Sequence, residues 1–503
     1  MLWPFAAVGC QDSDGTADTS SLDAGADSSS PLGDGAVPVD APHSETSTVH
    51  PVPGSAECAW QPGARPAAQL PDTHTKQYVI DLDHWQLSND RGDPVETRRR
   101  MNDAIRWATS NGYDKVVVPD GVYLVGETES GNYQAGIQLQ GNMTLELSPG
   151  AVIEMVANDK WNYCVVTVGG NSNVTVRGGT LLGDRKDHKY DANGGGHDEG
   201  HGVCVWTGVD RILIEDMELH ELTGDGVLIV GAAGSNESAE KPSTNVTIRN
   251  NHIHHNRRQG ISIVGGQNVV VSGNHIHHIE GTAPQFGIDI EGAGRTDKDI
   301  LIYRNNFHDN AGGDFVTSSG HNVWLEENVM TQCQVDEEGS YDPALPCDLK
   351  SQSDGPVIHW KETDNVIVNN TIRMMKPTAN GMWGILGYTG GDGPTRKNPV
   401  GNYVAGNTLH NAGIHAVDNK LYFFSGNTLN DGTLLAAWLG CTRLENNHVN
   451  RVKGLTYMFR NTAGVAQDNF VNRTEGAPPD KDIPVHFPMA DDAPYRNSSP
   501  VFW

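Results

Sequence analysis

One pattern of apolar and polar positions is repeated four times between residues 245 and 330. Each copy has two apolar residues two positions apart, an Asn three positions later, and another apolar residue two beyond the Asn. The copies occupy 245–253, 268–276, 299–307 and 322–330. Alternate apolar residues predict a strand with one buried face, and the Asn marks the turn that ends the strand.

The spacing of the copies predicts a solenoid, in which each unit buries its apolar face only against its neighbours. Short strands without a helix-length apolar period favour an all-β fold, the single-stranded right-handed parallel β-helix. In that fold like residues stack about 4.8 Å apart, and stacked Asn side chains can hydrogen-bond along the axis. Because the Asn spacing returns near the C-terminal end, we predict a β-helix over 78–475. The predicted ladder residues are Asn251, Asn274, Asn305, Asn328, Asn407, Asn427 and Asn447.

A second strand, defined by a closing Gly, is predicted between the copies. These strands occupy 226–231, 260–265, 287–292 and 315–320. When they are aligned on the closing Gly, one outward column contains His201, Asp225, Gln259, Phe286 and Asp314. Ile288 and Ile290 are expected to point inward, so Asp289 and Glu291 are expected to point outward.

A helix is predicted before the first coils. Residues 95–109 have helical periodicity, with Asp93 as the N-cap and Pro94 at the first helical position. This helix, followed by Val-Val-Pro-Asp-Gly-Val-Tyr-Leu-Val at 117–125, resembles the N-terminal end of the pectate lyase and polygalacturonase superfamily. The helix would cover the open end of the stacked coils, which otherwise exposes apolar side chains and strand edges.

The resemblance implies a carbohydrate-active protein whose outer wall holds the site, since polygalacturonases place catalytic Asp residues on such a strand. Here, however, Gly200-His201-Gly202 precedes the acidic strands, and the Arg-Ile-Lys segment of that family is absent. No catalytic role is therefore transferred residue by residue.

Two outward carboxylates on one strand predict glycoside hydrolysis. Asp289 and Glu291 would lie about 6.5–7 Å apart, at the lower edge of the separation found in inverting glycosidases. Crowding of like charges would raise one pKa and supply the acid. We predict this pair as catalytic, with Asp225 and Asp314 as helpers. Hydrolysis of this kind requires no cofactor, although the acidic groups could bind Ca²⁺.

Further residues are predicted to contact the polysaccharide. Asp184 and Arg185 belong to a Gly-rich insertion that could close over substrate, and the Trp360 ring could stack on a sugar. The predicted substrate-binding residues are Asp184, Arg185, His201, Arg258, Trp360 and Lys361. His197 and His201 flank two acidic residues in a Gly-rich loop, so a metal site there stays open.

Two other function classes fit the same wall. A polysaccharide lyase would use a base such as His359, Lys361 or Arg258, with a cation such as Ca²⁺ against the uronate. A non-catalytic glycan-binding surface protein would need only the wall itself. Outward acidic residues could also simply solvate the wall or hold Ca²⁺ structurally.

Charge and the N-terminal segment indicate an exported protein. The chain of 503 residues has a net charge of −28, which argues against nucleic-acid binding. Residues 1–10 resemble the end of a bacterial lipoprotein signal, with Cys10 as the lipidated residue. Residues 11–55 predict a disordered acidic linker, 56–77 an irregular lead-in, and 476–503 an irregular cap or tail. We expect an outer-membrane or cell-surface lipoprotein, or a secreted protein, that touches a membrane only through its anchor and is a monomer or a β-helix trimer.

Six Cys remain when Cys10 is set aside, and an exported protein can oxidise them. Cys333 and Cys347 bracket a predicted loop and are the preferred disulfide. Cys164 and Cys204 could stack on adjacent coils. A zinc site is the alternative, but no Cys-x-x-Cys spacing supports it.

Overall fold

The structure is a computed structural model of the chain. It describes residues 62–126, 134–170, 172–191, 196–232, 241–292, 297–318, 320–336, 339–345, 357–360, 364–374, 383–388, 401–417, 421–431, 434–437, 441–452, 463–473, 495–496 and 501–502. Within this part of the chain, three long sheets wind into a parallel β-helix. The predicted linker and Cys10 lie outside it, so the lipid anchor stays a prediction.

From Lys115 to Ala437 each coil contributes one strand to each sheet, and the sheets are named here by their strands. Sheet A contains Gln77–Val79, Lys115–Val118, Met143–Leu147, Val174–Arg177, Asp210–Glu215, Ser243–Arg249, Gly266–Ser272, Lys298–Tyr303, His321–Glu326, Asn365–Val368, Gly401–Ala405, Leu421–Ser425, Cys441–Glu445, Ala463–Gln467 and Val501–Phe502. Sheet B contains Gly121–Val125, Ala151–Met155, Thr180–Leu182, Glu218–His220, His252–His254, His275–His277, Asn306–His308, Val329–Thr331, Thr371–Arg373, Thr408–His410, Thr428–Asn430, His448–Val452, Phe470–Arg473 and Tyr495–Arg496. Sheet C contains Gln134–Gln138, Asn162–Val168, Glu199–Val205, Asp225–Val230, Gln259–Val264, Phe286–Ile290, Gly313–Thr317, Ile358–Trp360, Trp383–Tyr388, Gly413–Val417 and Leu434–Ala437.

The core lies between the three sheets and consists of inward side chains that stack from coil to coil. In sheet C, Val227 pairs with Ile261, Ile261 with Ile288, and Ile288 with Phe315. The first three of these side chains are fully buried, and Phe315 is 1% exposed. Because burying such a side chain contributes about 1.5–3 kcal/mol, each coil is stabilised chiefly by its neighbours. The predicted β-helix is confirmed.

The predicted asparagine ladder is also confirmed. Asn251 Nδ2 donates to Asn274 Oδ1 at 3.0 Å, and Asn274 Nδ2 donates to Asn305 Oδ1 at 3.0 Å. The same contact joins every later rung, so a column of buried amides runs along the axis. The rungs are Asn251, Asn274, Asn305, Asn328, Asn370, Asn407, Asn427, Asn447 and Asn469. Asn370 and Asn469 extend the predicted set.

Two helices of the described residues precede the coils. The first is Leu82–Trp85, and the second is Pro94–Ser110. The Asp93 side chain accepts a hydrogen bond from the Glu96 amide at 2.9 Å, which caps the second helix as predicted. Its buried face contains Met101 and Ile105, so it covers the end of the core. Neither of these helices, within the described residues, is long and apolar enough to cross a membrane.

A disulfide joins Cys164 to Cys204 on neighbouring strands of sheet C, with 5.9 Å between the Cα atoms. The expectation that these two residues stack on adjacent coils is confirmed. Cys333 is disulfide-bonded. Cys347 lies outside the described residues, so the pairing of Cys333 with Cys347 stays a prediction.

Removing the Cys164–Cys204 disulfide is expected to destabilise the domain strongly. Cross-linking residues 40 positions apart restricts the unfolded chain, which for a loop of that length is worth about 4 kcal/mol. The double variant Cys164→Ala, Cys204→Ala should therefore unfold at a lower urea concentration than the oxidised wild type. Each single variant serves as the control and should lose as much stability as the double variant. An unchanged urea midpoint would contradict the prediction.

Candidate active site on sheet C

Four neighbouring strands of sheet C bring the predicted outward column together. Val203 pairs with Val227, which places His201 beside Asp225. Asp225 pairs directly with Gln259, and the next strand begins at Phe286. Polar groups that are distant in sequence thus lie on adjacent coils of one face.

Asp314 does not belong to this column, and its predicted role on the wall is wrong. Phe286 pairs with Gly313, so Asp314 takes the next position, in register with Gly287. That position faces the interior, because a Cβ built on Gly287 would meet the core ring of Phe307 at 2.9 Å. The Gly that closes this strand stands one residue later than in the other three copies. A slip of one residue moves a side chain to the opposite face.

The interior of the coil holds Asp314 as a buried acid. Its side chain accepts a hydrogen bond from Asn310 Nδ2 at 2.9 Å, and the residue is 1% exposed. Its second oxygen has no hydrogen-bond partner among the described residues. Burial raises the pKa of Asp314 to about 7. This carboxyl group therefore acts on stability and not on substrate.

Asp225 is the centre of the polar cluster on the wall. It is fully buried, with Arg258 Nη1 3.3 Å and His201 Nδ1 3.4 Å from its Oδ2 atom. Burial raises the pKa of Asp225, although the Arg258 guanidinium and His201 act in the opposite direction. The carboxyl group thus lies under the surface of the wall and reaches solvent only through its neighbours.

His201 is 1% exposed and connects Asp225 to Glu199. The Asp225 amide donates to His201 Nδ1 at 3.0 Å, while Nε2 lies 3.2 Å from Glu199 Oε2. Since Nδ1 accepts, a neutral ring carries its proton on Nε2 and donates it to Glu199. The predicted direct contact of His201 with substrate is therefore corrected to a positioning role for Glu199.

Arg258 is surrounded by carboxylates. Besides Asp225, its Nε atom lies 3.8 Å from Asp198 Oδ2. Burial alone would lower the pKa of Arg258, but the charges of Asp225, Glu199 and Asp289 outweigh it, and the pKa is raised. The guanidinium is thus permanently charged, and its charge is already compensated before any substrate binds.

The strand Phe286–Ile290 contains Asp289, and Glu291 follows directly after its last residue. Ile288 and Ile290 are fully buried, while Asp289 is 6% exposed and Glu291 is exposed. Gln259 Nε2 donates to Asp289 Oδ2 at 2.7 Å, and Gln259 Oε1 accepts from the Phe286 amide at 2.8 Å. The amide group of Gln259 therefore fixes Asp289 beside the Asp225 cluster. The catalytic role of the pair stays a prediction.

Two residues of the Gly-rich insertion do not lie at this cluster. Asp184 is 5% exposed, and it accepts hydrogen bonds from Tyr163 Oη at 2.8 Å and from the amide of Asn158 at 3.0 Å. It therefore anchors the insertion, and its predicted contact with substrate stays a prediction. Arg185 lies instead beside sheet B, where its Nη2 atom is 3.9 Å from Glu280.

The predicted sugar-stacking role of Trp360 also disagrees with the structure. Strand alternation places Ile358 and Trp360 inside, and Trp360 is fully buried. Its indole lies against Gly387 on the next coil, where an added Cβ would meet it at 2.3 Å. Trp360 therefore packs the core and cannot stack on a sugar. Lys361 lies outside the described residues, so its predicted role stays open.

Sequence reasoning missed Glu199 and Gln259 as site residues. Glu199 stands two positions before His201 on one strand, and residues two apart share a face. That signal was available in the sequence. Gln259 stands in the predicted outward column, but the sequence did not indicate its role, because its contact with Asp289 joins two coils. Together these groups offer carboxylates at the surface, a buried acid and one fixed cation, the residue types that general acid–base catalysis uses.

Comparison with known proteins finds similarity over part of this chain. Residues 121–295 match the family described as the right-handed β-helix region. A Bacillus subtilis protein, YclG, is 30% identical over 254 residues, which cover 47% of this chain and 43% of the relative. The chain therefore spans less than half the length of that relative.

Two solved structures are similar to this chain at low sequence identity. The A-module of a mannuronan C-5 epimerase from Azotobacter vinelandii is 15% identical, with a TM-score of 0.46, and the match covers 79% of this chain and 93% of the module. An exopolygalacturonase from Thermotoga maritima is 13% identical, with a TM-score of 0.42, over 80% of this chain and 94% of the enzyme. The parallel sheets and the matched segment together identify the protein as a right-handed parallel β-helix.

Proposed function

We propose that the protein is a carbohydrate-active enzyme that hydrolyses glycosidic bonds of a polysaccharide on the outer face of sheet C. The observation that supports this is the polar cluster on four consecutive strands, in which Asp289 is held by Gln259 and lies beside Asp225 and Arg258. A stacked wall of this kind offers an extended polymer several successive contacts.

Asp289 and Glu291 are the proposed acid–base pair. They stand two positions apart, with Asp289 on the strand Phe286–Ile290, Glu291 directly after its end, and the buried Ile290 between them. In hydrolysis one carboxyl group protonates the leaving oxygen while the other activates a water molecule. Glu199, positioned by His201, supplies a third carboxylate along the same wall and would contact neighbouring sugars.

The charge of the cluster favours a neutral polymer over a uronate polymer. Asp198, Glu199, Asp225 and Asp289 act on the single guanidinium of Arg258. The excess negative charge would repel the carboxylates of a uronate chain. We therefore favour hydrolysis over β-elimination, and hydrolysis by carboxylates needs no cofactor.

The test is digestion of a panel of neutral and uronate polysaccharides by the purified protein. Asp289→Asn and Glu291→Gln are each expected to lower kcat by about 10²–10⁴-fold, the usual contribution of general acid–base catalysis. Both variants should keep the wild-type melting temperature, since neither side chain packs in the core. Glu154→Gln, an outward carboxylate on sheet B that pairs with Arg91, is the matched control and should retain full activity.

The products decide between the function classes. New reducing ends without ultraviolet absorbance support hydrolysis, whereas the absorbance of unsaturated uronate ends would establish a lyase and refute the proposal. Binding without any product would indicate a glycan-binding protein. If Glu199→Gln abolished turnover while the Asp289 and Glu291 variants stayed active, the assigned pair would be wrong.

A further inference from the structure

Sheet B carries a run of imidazoles that the proposed hydrolysis does not use. The sequence places His-x-His at 252–254 and again at 275–277, one coil later. His252 pairs with His275, and His254 pairs with His277. The cluster, called the histidine wall here, consists of His220, His252, His254, His255, His275, His277, His278 and His308.

The rings of the histidine wall stack face to face along the axis. The His254 and His277 centroids are 5.0 Å apart with an interplanar angle of 4°, and those of His277 and His308 are 4.4 Å apart at 8°. His252 stacks on His275 at 5.0 Å and 8°. Repetition of one coil therefore brings the same donor atoms to the same place several times.

Ring nitrogens converge at the middle of the wall. His252 Nε2 and His277 Nε2 are 2.7 Å apart, and one ligand nitrogen from each of His252, His275 and His277 lies within 4.8 Å of the others. Two neutral imidazoles at this distance share one proton, so the unprotonated nitrogen has its lone pair directed into the cluster. Three neutral imidazoles are a ligand set suited to zinc, copper or nickel.

We propose that His252, His275 and His277 bind a divalent transition-metal ion, with Zn²⁺ as the ion to test first. Zinc takes imidazole nitrogens at about 2.0–2.1 Å in a tetrahedral arrangement, so two ligand nitrogens stand roughly 3.4 Å apart. The pair His252–His277 has to open by less than about 1 Å to reach that distance. The His252 side chain is 39% exposed, which gives the ion a path from solvent and leaves room for a water ligand.

The surroundings support a ligand role for these rings. His277 Nδ1 contacts His278 Nδ1 at 2.7 Å, which fixes the ring and leaves Nε2 for the ion. Glu218 lies beside the wall, with Oε1 4.0 Å from His252 Nδ1 and 3.2 Å from His254 Nε2. A neutral imidazole is the form that binds metals.

The histidine wall contains overlapping groups of metal ligands, of which the central group is expected to bind the ion. Two flanking groups, Glu218–His252–His254 and His277–His278–His308, each share a ligand with the central group. Because an ion at the centre uses both shared residues, it prevents a full ligand set on either side. We therefore expect one tightly bound ion per chain.

The test uses substitutions to residues that occupy equivalent positions on later coils of sheet B. Asn306 follows His275 in the column of His252, and Thr331 follows His308 in the column of His277. The double variant His252→Asn, His277→Thr therefore places in the wall residues that this sheet already accepts. His448 lies in the His252 column further along the sheet, with Thr428 and Phe470 as neighbours. His448→Asn is thus the matched control.

The experiment is titration of the chelator-treated protein with Zn²⁺ alone, read by calorimetry and by elemental analysis after dialysis. Wild type and His448→Asn should each retain one zinc per chain. The double variant should bind zinc at least about 100-fold more weakly, since losing ligands weakens binding more than losing the residues that orient them. Circular dichroism should show the same fold in all three. Replacement of zinc by Co²⁺ should give the intense visible absorption of a four-coordinate ion only in wild type and the control. Zinc retention by the double variant at the wild-type level, or none by wild type, would overturn the proposal. None of these readouts depends on hydrolysis.

Discussion

Replacing Asn328 by Ala is expected to lower the free energy of unfolding by on the order of 5 kcal/mol, because four buried hydrogen bonds are lost together. The Asn328 side chain accepts from the amide and from Nδ2 of Asn305, at 2.9 and 3.0 Å, and donates to the Ile302 carbonyl and to Asn370 Oδ1, at 2.9 and 3.0 Å. The residue is 1% exposed, so water cannot replace these partners. The variant would be compared with wild type by urea unfolding.

Asn450→Ala is the control for the ladder prediction. Asn450 is a partly buried Asn on sheet B whose Nδ2 atom donates to Asn430 Oδ1 at 3.1 Å. This substitution should lower the free energy of unfolding by about 1 kcal/mol, the usual contribution of a single hydrogen bond. Equal losses from the two variants would show that the buried ladder has no special weight in the stability of the coils.

Replacing Asp314 by Asn is expected to change the free energy of unfolding, relative to wild type, in favour of the variant as the pH rises. The pKa of this carboxyl group is 3.8 in the unfolded reference and about 7 in the folded protein, where burial raises it. Folding therefore takes up a proton between these values, so the stabilising contribution is complete below pH 3.8 and is lost as the pH rises to 7. The difference corresponds to about 4 kcal/mol. Asn cannot ionise but retains the acceptor for Asn310.

The measurement is urea unfolding of wild type and variant at pH 4 and pH 8, with a chelator present. The difference between the two proteins cancels all other titrating groups and should change by about 4 kcal/mol in favour of the variant. Asp309→Asn is the control. Although burial alone would raise it, hydrogen bonds from His308 and from the Cys333 amide lower the pKa of Asp309. The contribution of this carboxylate therefore changes only below the unfolded pKa of 3.8, so the stability difference between this variant and wild type should stay nearly constant between pH 4 and pH 8. A pH-independent difference for Asp314→Asn would show that the group is not buried as a neutral acid.

The strands and the ladder could be predicted because they follow from local patterns. Apolar residues such as Val269 and Val271 alternate with polar ones, and Asn274 follows at a fixed distance. Each repeat has to bury the same face against the next repeat, so the pattern repeats wherever a coil does. The helix at Pro94–Ser110 was equally readable, since its cap and its first residue are local signals.

Register could not be predicted with the same success. Alignment on closing glycines placed Asp314 outside, but Gly313 takes that position. The Trp360 ring was predicted to stack on a sugar, but strand alternation from Ile358 directs it into the core. In both cases an offset of one residue decides the face, and loop length sets the offset.

The sequence by itself determined that this protein is a parallel β-helix with a capping helix. It also determined that Asp289 and Glu291 alternate with the inward side chains of Ile288 and Ile290, and that Cys164 and Cys204 lie on adjacent coils. Only the tertiary structure decided which outward groups form a site. The contacts of Gln259 with Asp289, of His201 with Glu199, and of His252 with His277 depend on side-chain reach and coil register. The physical reason is that alternation along a strand is encoded residue by residue, whereas contacts across coils depend on the stacking of the whole solenoid.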